Sequence, residues 1–320
     1  MVSVITPVLD RASTIGACLA SVANQTYGSI EHIVVDGGSS DGTTKILGDH
    51  RSAGFQWMSE ADDGMYDAIN KGLRLARGEI VCYLNSDDLY LPWCVEEAVE
   101  GLRRGADLVY GDLVVLNRLQ GRPRLYFEFY PRFDLRYYTH VAVIGQPAVF
   151  WRRSLTDRIG TFDTTYRLIG DCEYWLRAAV ANARIVHLDE LLAVQVEHAT
   201  TLRAANPDQL KREFIRLRAH YSTYAVPPRV PRLQRLKKSL IWRGRQLQFR
   251  REMRRGDPDH WPQFGRFLRA RGIAIDDLAL FMFMLPATLR GSRSPWGNPS
   301  QLVEGLMEVM GIDEGQAQIA

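Results

Sequence analysis

Apolar residues over the first hundred positions alternate between two rhythms. Short runs, Val2–Val8, His32–Asp36, Phe55–Ser59 and Glu79–Leu84, have the make-up of buried strands. Between them, Ser13–Ala23, Thr43–His50, Met65–Ala76 and Leu91–Arg103 carry apolar residues at helical spacing. Strands regularly separated by helices predict an α/β fold with a wound sheet and crossover helices. Two polar clusters interrupt the pattern, Gly37-Gly38-Ser39-Ser40-Asp41-Gly42 after the second strand and Asn85-Ser86-Asp87-Asp88 after the fourth. Ligands of open parallel sheets lie beyond the carboxyl ends of the strands, so the two turns are candidates for one shared site.

Past Arg103 the alternation is less regular. Strand-like Leu108–Leu116, Arg124–Phe129 and Val141–Trp151 precede a helix near Asp171–Ala181. Pro227, Pro228 and Pro231 then break the chain. They divide it into an α/β domain over residues 1–225 and a basic, mostly helical extension over 226–320, with no internal repeat.

With 320 residues and 46% hydrophobic content the chain can bury a substantial core. Cys18, Cys82, Cys94 and Cys172 are scattered through apolar surroundings without metal-ligand spacing, which predicts reduced core thiols. The best apolar run, Leu278–Leu289, is broken by Pro286 and is shorter than the roughly 20 residues a spanning helix needs. Met1–Pro7 leads straight into a strand without the pattern of an export signal, so a cytoplasmic location is expected. Net charge is only +3, but residues 227–256 hold eleven Lys or Arg against the single Glu252, leaving the remainder acidic.

One or two aspartates on a strand-end loop, completed by phosphate oxygens and water, suit magnesium or manganese. Asp87 and Asp88 meet that description, and so does a plain polar turn ahead of a helix. A carboxylate ending an apolar strand, as Asp36 does, has no capping role to explain it, whereas Asp41 reads equally as the N-cap of the next helix. Asp67 and Asn70 share a helix face, and helix-start capping competes with ligand contact at Asp67. His198 precedes Ala199-Thr200-Thr201, where a structural role and a ligand role both stay open.

Four segments, in order and spacing, resemble the family 2 glycosyltransferases of the GT-A fold over about the first 200 residues. They are Val4-Ile5-Thr6-Pro7-Val8, Ser21-Val22-Ala23-Asn24-Gln25-Thr26-Tyr27, Val34-Val35-Asp36-Gly37-Gly38-Ser39-Ser40-Asp41-Gly42-Thr43, and Glu79-Ile80-Val81-Cys82-Tyr83-Leu84-Asn85-Ser86-Asp87-Asp88. The resemblance implies a hexosyltransferase-type enzyme that moves a sugar from a nucleotide diphosphate, most often a UDP-sugar, with inversion. By it, Pro7, Asp36, Ser39 and Asp41 lie at the nucleoside, with Asp36 accepting from the base imide. Asp67, Asn70 and Lys71, in a segment similar to the family's Tyr-Asp-Ala-x-Asn-Lys-Gly, lie under the donor. Asn85 stands where the family's metal motif begins with an acid. It and Ser86 become sugar or ribose contacts, and Asp87 becomes the ligand of a Mn2+ or Mg2+ ion, with Asp88 as support or alternative and His198 as a third ligand. Gly170-Asp171-Cys172-Glu173-Tyr174-Trp175-Leu176-Arg177 is similar to the segment carrying the catalytic acid, which makes Asp171 the base and Glu173 its competitor. Gln146 matches a position on the acceptor side.

Leu233, Leu236, Leu240 and Leu247 fall near one helical face of the basic stretch, a pattern suited to an anionic membrane surface. A solvated helix or a subunit contact fits it equally. The partners expected are a nucleotide sugar and a glycan or lipid-linked acceptor, with peripheral membrane contact through 227–256 and no nucleic acid. Two rivals remain: a nucleotidyltransferase acting on sugar phosphates, and a non-catalytic protein that binds sugar nucleotides or membranes.

Overall fold

A computed structural model describes residues 1–49, 54–117, 124–128, 130, 132–138 and 144–224, and the pair Ala274–Ile275. The basic stretch 227–256 and nearly all of the extension from 226 lie outside the described residues.

The elements follow in the order β1 (Val2–Val8), α1 (Ile15–Ala23), β2 (Ile30–Asp36), α2 (Thr43–Asp49), β3 (Phe55–Ser59), α3 (Met65–Leu75), β4 (Ile80–Tyr83), β5 (Leu89–Tyr90) and α4 (Cys94–Arg103). The second half continues with β6 (Leu108–Asn117), β7 (Arg124–Glu128), α5 (Leu135–Tyr138), β8 (Val149–Arg152), α6 (Arg153–Ile159), α7 (Gly170–Val180), β9 (Ile185–Glu197), α8 (Leu202–Ala205) and α9 (Pro207–His220), with β10 (Ala274–Ile275) beyond. Every strand and helix expected up to Arg103 is present.

The sheet runs β10-β7-β6-β8-β4-β1-β2-β3, with β9 added on β6 and β5 on β9. β1 lies between β2 and β4, parallel to both, and all seven of its residues are buried. That explains why its sequence is an apolar run and not an alternation, since helices cover both of its faces. Gly72 of α3 lets the helix come close to this strand: a Cβ there would lie 2.4 Å from Cγ2 of Ile5. β8 reverses direction against β4 and β6, and β9 runs parallel to β6. The parallel strands therefore end at one edge, where both polar turns sit.

The second half departs from the sequence pattern in several places. Of the strand expected over Val141–Trp151, positions 141–143 lie outside the described residues, and Gln146–Ala148 form a 3-10 turn. Pro147 cannot donate to a ladder, so pairing begins only at Val149. The thirteen-residue β9 has no counterpart in the elements expected, and neither has α9. All four cysteines are free and buried. No helix among the described residues is long and apolar enough to cross a membrane.

His32, on β2, is buried with its Nε2 2.9 Å from the Thr6 hydroxyl. Burial lowers its pKa from 6.5 to about 3. The unfolded chain therefore holds one more proton than the folded one between those values. The stability that neutral His32 supplies is complete above pH 6.5 and is lost as pH falls toward 3. His32→Gln, which does not titrate, is expected to gain on the wild type by up to about 1.4 kcal/mol per pH unit between pH 6 and 4. Urea unfolding at a series of pH values measures the difference.

Candidate active site

Asp36 ends β2 fully buried, and its carboxylate organises the turn that follows. Oδ2 accepts from the N–H groups of Gly38 and Ser39, both at 3.1 Å, and from the Ser59 hydroxyl at 2.6 Å, while Oδ1 accepts from the Ser39 hydroxyl. The absence of any capping role expected for Asp36 is thus corrected: it closes its own turn and ties β2 to β3. Asp41 accepts from Ala12 N–H at 2.9 Å and from Thr43 N–H at 3.0 Å. The Thr43 hydroxyl, then the Ala12 N–H, hold its carboxyl below the ordinary carboxylate range. It caps the start of α2 and joins the loop after β1 to the turn after β2. In the same seam Asp10 N–H donates to Ser39 Oγ, and Ser40 N–H to Asp10 Oδ1, both at 2.8 Å. Pro7 lies within β1, paired with Val35.

The segment expected under the donor is largely occupied by its own bonds. Asn70 is buried, its amide donating to Phe162 O and accepting from Phe162 N–H, both at 2.9 Å. That leaves it a staple between α3 and the chain before α7, not the donor contact expected. Asp67 accepts from Asp63 N–H at 3.2 Å, which is the capping role. Lys71 lies 2.9 Å from Glu60 and 2.8 Å from Ala61 O, with the Glu60 bond raising its pKa, so its charge is already matched.

At the second turn, Asp87 Oδ2 lies 2.9 Å from His198 Nε2, and His198 Nδ1 lies 2.9 Å from the Thr200 hydroxyl. The two residues are 111 positions apart in sequence. Asp88 faces elsewhere: it is buried, Oδ1 accepts from Val196 N–H at 2.9 Å, and Oδ2 lies 3.3 Å from Asn85 Nδ2. Burial, then the neighbouring Asp87 charge, push its carboxyl well above the ordinary range. Its two oxygens are thus tied to β9 and to Asn85. Asn85 Nδ2 also donates to Gln146 Oε1 at 3.0 Å, and Gln146 Nε2 to Tyr83 O at 2.9 Å. Gln146, expected on the acceptor side, thus braces the loop through Asn85 and Tyr83. Ser86 is buried in the same loop.

A carboxylate oxygen and an imidazole nitrogen in contact form a donor pair that fits manganese better than magnesium, whose ligands are oxygens, the rest of the shell coming from phosphate and water. Asn85 Oδ1 adds a buried oxygen with no hydrogen-bond partner. Asp87, Asp88 and His198 do not form a three-ligand cluster, however. Among the described residues such a cluster, with ligand atoms within 4.8 Å of one another, is Asp112, His187 and Asp189, where β6 meets β9.

Asp171 is the second residue of α7 and is buried. Arg203 Nη2, from α8, lies 3.0 Å from its Oδ1 and 2.8 Å from its Oδ2, and Tyr66 Oη, from α3, lies 3.1 Å from Oδ1. The carboxylate beside it raises the Arg203 pKa, so the guanidinium is a fixed charge. Glu173 points away, bonded to Arg177 at 2.8 Å and to the Tyr221 hydroxyl at 3.0 Å, which removes it as a competing acid. The chain leading into α7 is held by Glu213 of α9. Its carboxylate accepts from the N–H groups of Arg167, Leu168 and Ile169 at 3.0, 2.9 and 3.3 Å, pinning the two residues before the helix and its N-cap Ile169. Tyr66, Arg203 and Glu213 were not among the residues singled out from sequence. Tyr66 stood inside a quoted motif, but no local signal marks the other two.

Short chain segments connect these acids. His198 touches Asp87 and Arg203 touches Asp171, while Arg11, after β1, reaches Thr200 O at 3.4 Å. Asp36 ends a strand two positions across the sheet from β4, a lateral distance of about 10 Å.

Comparison with known proteins adds to this geometry. Residues 3–160 match the profile described as glycosyl transferase family 2. The chain is 34% identical over 183 residues to a PGL/p-HBAD biosynthesis glycosyltransferase of Mycobacterium bovis BCG, a match covering 55% of this chain and 69% of the relative. It is 35% identical over 182 residues to an uncharacterized glycosyltransferase of Mycobacterium tuberculosis, covering 56% and 69%. Among solved structures it is similar to S. aureus TarS 1–349 in complex with UDP, with TM-score 0.54 and 23% identity, covering 69% of this chain and 64% of that one. TarS 1–349 in complex with UDP-GlcNAc gives TM-score 0.53 and 20% identity, covering 70% and 66%. The chain thus spans just under two thirds of either TarS chain, and at these identities the likeness is one of fold.

Replacing Glu213 by Ala is expected to leave three backbone N–H groups without their acceptor and to lower stability by about 3 kcal/mol. Chemical denaturation of the two proteins checks it.

Proposed function

The chain belongs to glycosyl transferase family 2 with the GT-A fold, and on that premise we propose that it transfers a sugar from a UDP-sugar to a hydroxyl of a glycan or lipid-linked acceptor, inverting the anomeric carbon. The observation that carries the reading is the stretch 198–203, which meets the cation-ligand candidate Asp87 at one end and the base candidate Asp171 at the other. One short segment thus joins the two acids that the chemistry requires.

In this reading the turns after β1 and β2 receive the nucleoside, with Asp36 shaping the backbone that faces it. Asp87 and His198 would hold a divalent cation, which when bound neutralises charge on the leaving diphosphate. Asp171 takes the proton of the acceptor hydroxyl as the hydroxyl oxygen attacks the sugar carbon and the bond to the diphosphate breaks. Arg203 now occupies both carboxylate oxygens, so it has to leave Oδ2 before that transfer. A single base without a second nucleophilic carboxylate suits direct displacement. The donor class is supported by TarS, whose structures hold UDP and UDP-GlcNAc. The acceptor class is supported by relatives named for PGL/p-HBAD biosynthesis. Contact of the basic stretch 227–256 with the inner face of the membrane would bring a lipid-linked acceptor within reach, and we include it in the proposal.

UDP release from a panel of UDP-sugars, with and without Mn2+, tests the assignment. Asp171→Asn is expected to lower turnover by about 10²- to 10⁴-fold while leaving Mn2+-dependent thermal stabilisation by UDP intact. Asp87→Ala is expected to abolish that Mn2+-dependent stabilisation. Unchanged turnover in the Asp171 variant would overturn the assignment.

A further inference from the structure

Two groups bond Asp171, and they differ in kind. Arg203 is an exposed side chain on the four-residue α8. Tyr66 is buried in the core, and its bonding direction is fixed by its neighbours. The Asp171 N–H donates to Tyr66 Oη at 3.1 Å, so that oxygen acts there as acceptor. The one proton of the phenol then has Asp171 Oδ1, also at 3.1 Å, as its acceptor. Burial, then the Asp171 charge, raise the phenol's pKa well above 10, so the proton stays.

The ring is clamped as firmly as the hydroxyl. It stacks on Phe162 with centroids 5.5 Å apart, and Asn70 of the same helix holds both backbone groups of Phe162. Gly170 also lies against the ring, where a Cβ would come within 2.9 Å of Tyr66 Cε2. A glycine immediately before the base is therefore what allows the ring to lie where its hydroxyl reaches Oδ1.

We propose that Tyr66 is the positioning residue of the base: by donating to Oδ1 it fixes the carboxylate's rotation and leaves Oδ2 as the oxygen that takes the acceptor's proton. This rests on the reading of Asp171 as base. During transfer the acceptor proton moves to Oδ2 while the phenol keeps its own. The other groups around Asp171 are Arg203 of α8, Tyr138 of α5, Tyr83 of β4 and Cys172 of its own helix. The thiol is pushed up to about 12 and both phenols lie well above 10, all by burial first, so these three stay neutral. None of these three titrates in the acid range.

The test uses the full chain with Mn2+ and with UDP-glucose and UDP-GlcNAc as probes. Tyr66→Phe is expected to lower kcat about tenfold and to move the acid limb up by about one pH unit, with the donor KM within about twofold. Gly170→Ala, which pushes the ring aside while keeping the phenol, is expected to move the limb the same way, and the double variant no further. 13C titration of the Asp171 carboxyl in wild type and in Tyr66→Phe reads the shift without turnover. An unmoved limb or an unmoved titration, beside an inactive Asp171→Asn, would overturn the role of Tyr66 and leave the base in place. An active Asp171→Asn would instead overturn the reading of Asp171.

Discussion

Everything in this site depends on β1 being held in parallel register by β2 on one side and β4 on the other. Parallel pairing brings the carboxyl ends of neighbouring strands to one edge, and full burial of β1 makes slippage costly, because the strand has no polar face to offer water. The turns bearing Asp10, Asp36 and Asp87 are therefore neighbours because of backbone geometry, before any side chain makes a bond. The side-chain bonds then lock a neighbourhood that the ladder has already created.

Among the acids of this neighbourhood, burial and bonding separate structure from chemistry. Asp36, Asp41 and Asp67 each accept from backbone N–H groups of their own or an adjoining turn, and Asp88 from the backbone of β9. Glu213 does the same for the approach to α7, and Glu173 is spent on Arg177 and Tyr221. Asp87 and Asp171 differ: their carboxylates meet side chains that arrive from the stretch after β9. Contacts of that kind can be exchanged for a ligand without unfolding a turn.

The first half of the fold was legible because its periodicities are strong and its crossovers local. Both polar turns and the helix that carries Asp171 follow residues visible in the chain. What escaped was whatever depends on distant partners. β9 is a long strand whose pattern follows two different neighbours and includes a register shift, so no single alternation marks it. The carboxylate of Glu213 acts 44 to 46 positions away, and Asn70 acts 92 away. Asn70 and Gln146 belong to motifs that resemble a ligand-binding family, but which way an amide turns is settled by packing and cannot be read from its position. Asp36 shows the converse error, for a strand-end carboxylate can serve the turn that it begins.

β9 joins three things: it pairs with β6, its Val196 N–H secures Asp88, and it runs directly into His198 and Arg203. The cation candidate and the base candidate are thus addressed by one uninterrupted length of backbone. A displacement of that strand's end is felt at both acids together, so the two halves of the chemistry share a common mechanical fate and cannot drift apart one at a time.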